Sequence, residues 1–520
     1  MCVIVSSGEL PVAAPATTNL SRQTVAGLRW SSLDALCNGL ILVGWTAASS
    51  RLLDPEVFGL MAVANLVVNF GTFFARMGVA QALVQKERIS DDDIRATFTS
   101  GVLTGVFCFA ALWLAAPALS TVFAKPEVTS LLRVLGASFL FTGLAMTSMG
   151  LLRRQLRFRE IAIVGIVSNL LSSLLGIALA VTGAGVWSLI AYALSSPVFM
   201  LVLSYSRARH SLRPTFAISP FRSLYSFGAR VSVLRMLEFF ARNLDTITVG
   251  RYMTAAVLGQ YSRAYVLVNL PLNRYLASSL NSVLFPTFSS IQSDTPRLKR
   301  GLLSALSLGA VVMHPICAGM AVAAPEIVAT VLGPQWDVAA QIVPLFALGI
   351  GFNVLTRAIE LLCEARGELN RNLGLQIAYV LALGAALVLV SPYGVVTMAA
   401  VLLVGEVVRH IGFVLLARSL LDLNIRDLWQ AYAPAFFAAS VVAALTAVVR
   451  MLLLAAGLPA ALVLVAEIGA GALGLALAIR LNPVPEVRQL LAARLRNAGL
   501  LTARRSPITR MARVILGPAA

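Results

Sequence analysis

The sequence has few charged residues, and acidic residues are scarcer than basic ones. Only 12% of its 520 residues are charged, with 41 Lys and Arg against 23 Asp and Glu. A soluble protein carries about 25% charged residues. The low charge excludes an ordinary soluble fold, and it makes the position of each charge informative.

The residues that hold metals and form disulfides are also scarce. The five cysteines show no paired spacing, and the three histidines lie far apart in the sequence. A zinc site or a disulfide framework requires such residues in recurrent pairs. We therefore expect no metal, no cofactor and no structural disulfide.

Motifs of catalysis and nucleotide hydrolysis are missing as well. The sequence contains no Walker sequence, no GxSxG and no HExxH, so the enzymes and pumps that depend on these motifs are excluded. The predicted outer loops are too short to hold a glycan acceptor. The sequence therefore predicts a protein that is not an enzyme.

Long apolar runs dominate the chain, which is 58% hydrophobic. Examples are "GVLTGVFCFAALWLAAPAL" at 101–119 and "IAYVLALGAALVLV" at 377–390. Since about 20 apolar residues cross a bilayer, the runs predict an all-α polytopic membrane protein with about fourteen spans. These lie near 30–49, 57–83, 96–116, 129–151, 161–182, 186–205, 226–249, 257–283, 301–323, 338–361, 373–391, 395–416, 431–452 and 459–479.

The basic residues alternate between the two sides of these spans. Twenty-eight Lys and Arg fall in predicted inner segments and nine within spans, whereas only four fall in outer loops, namely Arg51, Lys125, Arg251 and Arg450. By the positive-inside rule, both termini lie in the cytoplasm. The net charge of +18 is thus mainly a topology signal and does not indicate nucleic acid binding.

Two weak correspondences indicate a duplicated half. The segments at 51–70 and 251–270 share six identities, namely Arg51/Arg251, Val57/Val257, Gly59/Gly259, Ala64/Ala264, Val68/Val268 and Asn69/Asn269. The short outer turns "TGAGVW" at 182–187 and "SPYGVV" at 391–396 join spans five and six, and eleven and twelve. Six spans per half is an even number, so the two halves are parallel repeats.

The repeat predicts two six-helix lobes with two further helices. Residues 22–222 form an N-lobe of helices 1–6, 223–418 a C-lobe of helices 7–12, and 419–480 helices 13–14. Residues 1–21 are predicted to be a disordered cytoplasmic tail. The segment 481–520 is a basic cytoplasmic tail that lies on the anionic inner leaflet or in solvent.

Span seven carries an unusual row of charges. Arg230, Arg235, Glu238, Arg242 and Asp245 lie within it, and the last four fall on one helical face. A charge at the bilayer centre costs at least ~2.5 kcal/mol, so this face meets water or protein. Either the charges form a self-neutralising ladder that binds a neighbouring helix, or they line a wet cavity.

Further arginines in the spans favour the cavity. Arg76, Arg263 and Arg274 have no acidic residue nearby in the sequence, and Asp34 lies in span one. Guanidinium groups hold phosphate oxygens in a bidentate fork, so an arginine-lined cavity suits an anionic cargo. The predicted cargo-binding residues are Arg76, Arg230, Arg235, Arg242, Arg263 and Arg274, and the candidates for a coupling ion or an ion pair are Asp34, Glu238 and Asp245.

Two later spans carry charges that could pair within one helix. Arg357 and Glu360 lie in span ten, and Glu406 and Arg409 lie in span twelve. The two arginines could instead extend to the inner rim and snorkel toward water. Two helix starts are also predicted, one at "DPE" (54–56) and one at "DDD" (91–93).

Four segments resemble the Wzx-type flippases of the multidrug/oligosaccharidyl-lipid/polysaccharide exporter superfamily. They are "RLLDPEVFGLMAVA" (51–64), "GVAQALVQ" (78–85), "NLDTITVGRYMTAAVLGQYSRAYVLVNLP" (243–271) and "VLFPTFSSIQ" (283–292). The likeness runs from about 22 to 480 and is closest to the lipopolysaccharide and exopolysaccharide branch. It carries no catalytic signature that transfers residue by residue.

The resemblance implies a transport function in the bacterial inner membrane. Such a protein moves an undecaprenyl-diphosphate-linked oligosaccharide to the outer leaflet by alternating access, with the diphosphate against cavity arginines. Its expected partners are membrane lipids and the polymerase and co-polymerase of a surface polysaccharide. The alternatives are an ion-coupled drug or cation antiporter of the same superfamily, a lipid II flippase, and an enzyme or ligase of polysaccharide assembly.

Overall fold

The structure is a computed structural model that describes residues 17–75, 83, 89–215, 239–240, 242–269 and 278–481. Within these residues the regular structure is entirely helical, with sixteen α-helices and one 3₁₀ turn over Ser391–Tyr393. A further helical segment covers 242–252. The prediction of an all-α chain is confirmed for this part of the protein.

The first eight helices are connected mostly by short turns. Their bounds are α1 Thr17–Leu52, α2 Pro55–Ala75, α3 Asp91–Val122, α4 Val128–Leu135, α5 Ala137–Arg154, α6 Phe158–Val181, α7 Val186–Arg207 and α8 Ala255–Asn269. The remaining eight are α9 Ser278–Ser290, α10 Thr295–Val322, α11 Ala324–Val331, α12 Asp337–Ala365, α13 Leu369–Val390, α14 Val395–Leu421, α15 Ile425–Ala455 and α16 Ala460–Leu481.

Eleven helical stretches in the described part are long and apolar enough to cross a membrane. They correspond to eleven of the fourteen predicted spans. The predicted span near 30–49 lies inside α1, which is not among the eleven, and those near 226–249 and 257–283 fall partly outside the described residues. The multi-pass prediction is confirmed, and the total of fourteen stays a prediction.

The chain divides into two compact units, residues 1–259 and 260–520. The predicted lobe boundaries stay a prediction. In the first unit, α6 packs between α1 and α7, and α3 packs along α5. The helices α3 and α5 meet at Gly101 and Gly143, where a Cβ on either glycine would press on the other's carbonyl. Small residues at such contacts let helix backbones approach closely inside lipid.

In the second unit, α10 is the central helix and packs against both α12 and α15. Its buried face carries Leu302 and Leu306, which belong to one apolar core with Ile359 and Leu362 of α12 and Phe413 of α14. All five side chains are at most 1% exposed. This core holds α12 and α14 in fixed register, which matters because both helices carry buried charges.

The locally encoded helix starts and turns are confirmed. Helix α2 begins at Pro55 with Glu56 in its first turn, and Ser90 and Asp93 form a reciprocal capping box at the start of α3. The two predicted outer turns are present, with Gly185 and Gly394 at positive φ immediately before α7 and α14. These positions require glycine because other residues are strained at such angles.

Candidate functional site

Four of the nine predicted site residues lie within the described part of the chain. Arg242 is exposed, and Asp34, Asp245 and Arg263 are half-buried. The other five lie outside the described residues, namely Arg76, Arg230, Arg235, Glu238 and Arg274. Of the six predicted cargo-binding arginines, only Arg242 and Arg263 are therefore described, and the arginine-lined cavity stays a prediction.

Arg242 and Asp245 lie on the helical segment 242–252, one turn apart. The segment follows two phenylalanines, Phe239 and Phe240, whose rings lie 5.4 and 5.3 Å from the ring of Phe70 on α2. Aromatic rings at this spacing fix the segment against α2. The exposed Arg242 therefore extends from a segment that apolar packing holds in place.

Asp34 belongs to a chain of polar side chains between α1, α6 and α7. Its Oδ1 accepts a hydrogen bond from Asn38 Nδ2 at 2.7 Å. Asn38 Oδ1 in turn accepts from Asn169 Nδ2 at 2.6 Å, and Asn169 Oδ1 accepts from the Ser196 hydroxyl at 3.2 Å. Such a chain is stable inside a membrane protein because its members satisfy one another.

The segments that correspond in the predicted repeat cross each other at Gly59 and Gly259. A Cβ on Gly59 would lie closer than 3.0 Å to the carbonyl oxygen of Ala255, and a Cβ on Gly259 would lie equally close to that of Pro55. Real Cβ atoms essentially never approach this closely. The starts of α2 and α8 are thus in direct backbone contact, which only glycine permits at these two positions.

Lys125 provides a second contact near the same helix starts. It lies in the loop between α3 and α4, is 7% exposed, and donates to the carbonyl oxygens of Gly250 at 2.6 Å and Met253 at 3.0 Å. A third, longer bond reaches Phe123 O. Burial and the nearby Arg251 lower the pKa of the Lys125 ammonium group. The lysine thus caps the carbonyl end of segment 242–252, where the helix dipole favours a cation.

Replacing Lys125 by Met should destabilise this end of the first unit. The substitution keeps the apolar stem but leaves three carbonyls without their charged donor, at a cost of about 1.5–3 kcal/mol. We expect a lower melting temperature of the purified protein in detergent. The control is Lys299→Met, which removes a more exposed lysine paired with Asp427 at 2.6 Å and should cost at most about 1 kcal/mol. Equal melting temperatures for the two variants would contradict this role of Lys125.

The second unit contains a network of buried charges that links α12, α13 and α14. Arg409 binds Glu360 at 2.5 Å and Glu406 at 3.4 Å, and Arg357 binds Glu360 and Glu364 at 3.0 Å each. Two arginines thus share three carboxylates. The side chain of Glu360 is 5% exposed and that of Arg409 is 13% exposed. Arg409 therefore does not snorkel to water but pairs inside the protein.

Neutral donors complete the charge network. Gln376 donates to Glu360, while Asn353 and Tyr379 donate to the two oxygens of Glu406 at 3.2 and 3.0 Å. The Arg409 guanidinium also lies 5.1 Å from the Tyr379 ring centroid, a cation–π distance. By formal charge, two arginines face three carboxylates in this network, which leaves one negative charge in excess.

A hydrogen-bonded triad of Thr356, His410 and Tyr432 lies next to this network. His410 Nδ1 is 2.9 Å from Thr356 Oγ1, and His410 Nε2 is 2.8 Å from the Tyr432 hydroxyl. The Thr356 hydroxyl is also within hydrogen-bond distance of Phe352 O at 2.9 Å. The imidazole of His410 thus links α14 to α12 and α15 through its two ring nitrogens.

The sequence indicated some of these side chains but not their grouping. The intrahelical pairs of Arg357 with Glu360 and of Glu406 with Arg409 are both present. The bond between Glu360 and Arg409, which joins the two pairs, could not be read from helical spacing. From the sequence, Lys125 was noted only as one of the four basic residues in the predicted outer loops. A single basic residue in a short outer loop is nevertheless a signal for a specific role.

The chain is similar in sequence to proteins of polysaccharide biosynthesis. A family profile described as "Polysaccharide biosynthesis protein" matches residues 49–341. The chain is 27% identical over 302 residues to the succinoglycan biosynthesis transport protein ExoT of Rhizobium meliloti (strain 1021), covering 58% of this chain and 61% of ExoT. It is 25% identical over 338 residues to the lipopolysaccharide biosynthesis protein WzxC of Escherichia coli (strain K12), covering 64% and 67% of the two chains. The matched region thus spans about three fifths to two thirds of these relatives.

Two solved structures are similar in fold. The inward closed conformation of the lipid II flippase MurJ matches with a TM-score of 0.67 at 12% identity, covering 91% of this chain and 99% of that one. The inward-facing conformation of a multidrug resistance MATE family transporter of the MOP superfamily matches with a TM-score of 0.50 at 17% identity, covering 75% and 94%. At these identities the likeness establishes the fold and leaves the cargo open.

Proposed function

This chain belongs to the polysaccharide biosynthesis family of Wzx-like membrane flippases, and on that premise we propose that it moves a lipid-linked oligosaccharide across the bacterial inner membrane. The cargo is an undecaprenyl-diphosphate-linked repeat unit, which passes from the inner to the outer leaflet by alternating access. The product supplies the synthesis of a surface polysaccharide such as O-antigen, capsule or exopolysaccharide. Its lipid and polymerase partners are those expected from the sequence, and both termini lie in the cytoplasm.

The excess of arginine inside the predicted spans of the matched region carries this proposal. Five of the six proposed phosphate ligands lie between residues 76 and 263, and the sixth is Arg274. A diphosphate requires several guanidinium donors, whereas a cationic drug requires unpaired carboxylates. The exposure of Arg242, on a segment held by Phe70, Phe239 and Phe240, agrees with a group that meets a cargo.

The crossing of α2 and α8 supports a gate at one end of the pathway. In the predicted lobes, α2 belongs to the N-lobe and residues 255–259 belong to the C-lobe. Both helix starts and the loop with Lys125 lie on the predicted outer side. We propose that the glycine crossing and Lys125 together hold this outer side closed while the cargo is taken up from the cytoplasmic leaflet.

Depletion of the protein should trap its cargo on the cytoplasmic side of the membrane. We expect mass spectrometry of polyprenyl lipids from a depleted strain to show a completed oligosaccharide on a diphosphate lipid, inaccessible to reagents added outside. Complementation with Arg242→Ala at wild-type protein level should reduce export about tenfold, because one charged phosphate contact is lost. The matched control is Arg297→Ala, an exposed arginine at the start of α10 that should leave export unchanged.

The lipid analysis of the depleted strain tests the flippase function, and the complementation tests the role of Arg242. Full export by the Arg242→Ala protein would overturn the assignment of that arginine. A normal lipid profile with normal surface polysaccharide, in a strain without a second such protein, would overturn the flippase function. Sodium- or proton-dependent drug resistance would then favour the antiporter, and a block in wall synthesis would favour lipid II as the cargo.

A further inference from the structure

Three charged side chains meet near the junction of α15 and α16 in the second unit. Arg450 Nε donates to Glu326 Oε1 at 2.9 Å and lies 3.9 Å from Glu467 Oε1. Two carboxylates on different helices therefore face the same guanidinium nitrogen. We call Glu326, Arg450 and Glu467 the acid–arginine triad.

The two carboxylates of the triad are removed from solvent. The side chain of Glu467 is 0% exposed and that of Glu326 is 5% exposed. Both oxygens of Glu467 and the second oxygen of Glu326 are buried without a hydrogen-bond partner. A buried charge inside a membrane protein is costly unless it is paired. One arginine neutralises one carboxylate, so the triad holds one negative charge too many.

A buried hydroxyl beside the triad is also unused. Thr446 lies one turn before Arg450 on α15, is 1% exposed, and its Oγ1 has no hydrogen-bond partner. It faces α16, because a Cβ on Gly471 would lie 3.8 Å from Thr446 Oγ1. Gly471 follows Glu467 by one turn, so the hydroxyl and the carboxylate line the same seam between the helices. The seam thus offers several polar oxygens with no partner among the described atoms.

We propose that the acid–arginine triad is a proton-binding site and that Glu467 carries the proton. In this assignment the formal charge of Arg450 is balanced by Glu326, which accepts its short bond, and the proton on Glu467 brings the three groups to zero charge. A protonated carboxyl gains an O–H donor, and Glu326 Oε2 is an acceptor without a donor in the same triad. A proton on Glu467 therefore removes the excess charge, and it supplies a donor of the kind that the buried oxygens of the triad lack.

The neighbouring helices supply no other charge near the triad within the described chain. Helix α16 packs against α10, α11 and α15. Their other charged or titratable side chains lie toward the opposite ends or pack elsewhere. They are Arg297, Lys299 and Arg300 on α10, His314 on α10 between Phe352 and Phe436, Cys317 on α10 against Gly351 of α12, Arg426, Asp427 and Tyr432 on α15, and Arg480 on α16. The proton count of the site is therefore set by the triad alone.

The triad would give the proposed flippase a coupling ion, a step that rests on the proposed function. Glu467 lies two turns from the first residue of α16, and that residue lies on the predicted outer side. A movement of α16 that admits water to Glu467 would let the proton leave. Burying the Glu467 carboxylate again would then require the binding of a new proton. The binding of the proton itself can be tested without any transport.

Infrared spectroscopy of the purified full-length protein in nanodiscs at neutral pH tests the proposal directly. The wild type should show a protonated-carboxyl C=O band that shifts in heavy water and is absent from Glu467→Gln. The band should also be lost from Glu326→Gln, although Glu467 remains, because Arg450 is then free to pair with Glu467 as a carboxylate. The control is Glu56→Gln, an exposed carboxylate on α2, which should leave the band unchanged.

Each outcome decides the proposal. Loss of the band in both triad variants, with its retention in Glu56→Gln, supports a proton held by this site. Identical spectra for the wild type and Glu467→Gln would overturn it, as would retention of the band in Glu326→Gln. Stabilisation of the wild type by sodium, with no protonated-carboxyl band, would also overturn it and assign the site to a metal cation. None of these readouts depends on the cargo, so failure of the proposed function would leave them intact.

Discussion

Gly59→Ala is expected to disrupt the contact between the starts of α2 and α8. The added methyl group would meet the carbonyl oxygen of Ala255, which belongs to the backbone and cannot rotate away. Overpacking of this kind costs about 1–3 kcal/mol, and the rigid neighbour places this site at the upper end. We expect a clearly lower melting temperature of the purified protein and a loss of polysaccharide export at wild-type protein level.

The control for this substitution is Gly44→Ala in α1, where a Cβ would meet no atom within 4 Å. Alanine is preferred over glycine in a helix by up to about 1 kcal/mol, so Gly44→Ala should be neutral or stabilising. The helical preference for alanine also acts at Gly59, where it opposes the expected loss of stability. A lower melting temperature of Gly59→Ala than of Gly44→Ala would therefore report the clash with Ala255. Similar melting temperatures for the two variants would show that the crossing tolerates a side chain.

Arg409→Ala should have the largest effect on stability of any substitution in the second unit considered above. Removing this arginine leaves Glu360, Glu364 and Glu406 with Arg357 as their only arginine within the network. Breaking a buried ion pair from one side costs about 3–5 kcal/mol, because the remaining charge is left without compensation. We expect little folded protein in the membrane and a steep fall in melting temperature.

Two further variants separate charge from packing in this network. Glu360→Gln removes the excess negative charge while keeping the shape of the side chain, so it should be much milder than Arg409→Ala. Arg371→Ala removes a 58% exposed arginine paired with Glu368 and should cost at most about 1 kcal/mol. If Glu360→Gln proved as damaging as Arg409→Ala, the excess of carboxylates would not be the governing feature.

The sequence predicted features that depend on local chemistry. The start of α2 at Pro55, the capping of α3 and the glycine turn before α14 follow from residues within a few positions of each other. The charge pairs within α12 and α14 follow from helical spacing in the same way. These features hold whatever the helices pack against.

Features that depend on the rotation and depth of helices were not predictable in this way. Glu360 and Arg409 are 49 residues apart, and their bond depends on how α12 and α14 face each other. Hydropathy assigned Glu467 to a span without indicating that Arg450 and Glu326 lie beside it. The sequence left open whether Arg409 pairs with Glu406 or snorkels to water for the same reason, because the depth of this arginine depends on its neighbours and not on its distance from the helix end.

The crossing of α2 and α8 also gives a structural meaning to the glycine that the two predicted repeats share. Gly59 faces residue 255 and Gly259 faces residue 55, so the segments 55–59 and 255–259 contribute the same two positions to each other. This reciprocity is the geometry of an isologous dimer interface, here formed within one chain. A side chain gained at either glycine would meet the backbone of the opposite segment. Glycine at both positions is therefore required by the reciprocal crossing itself.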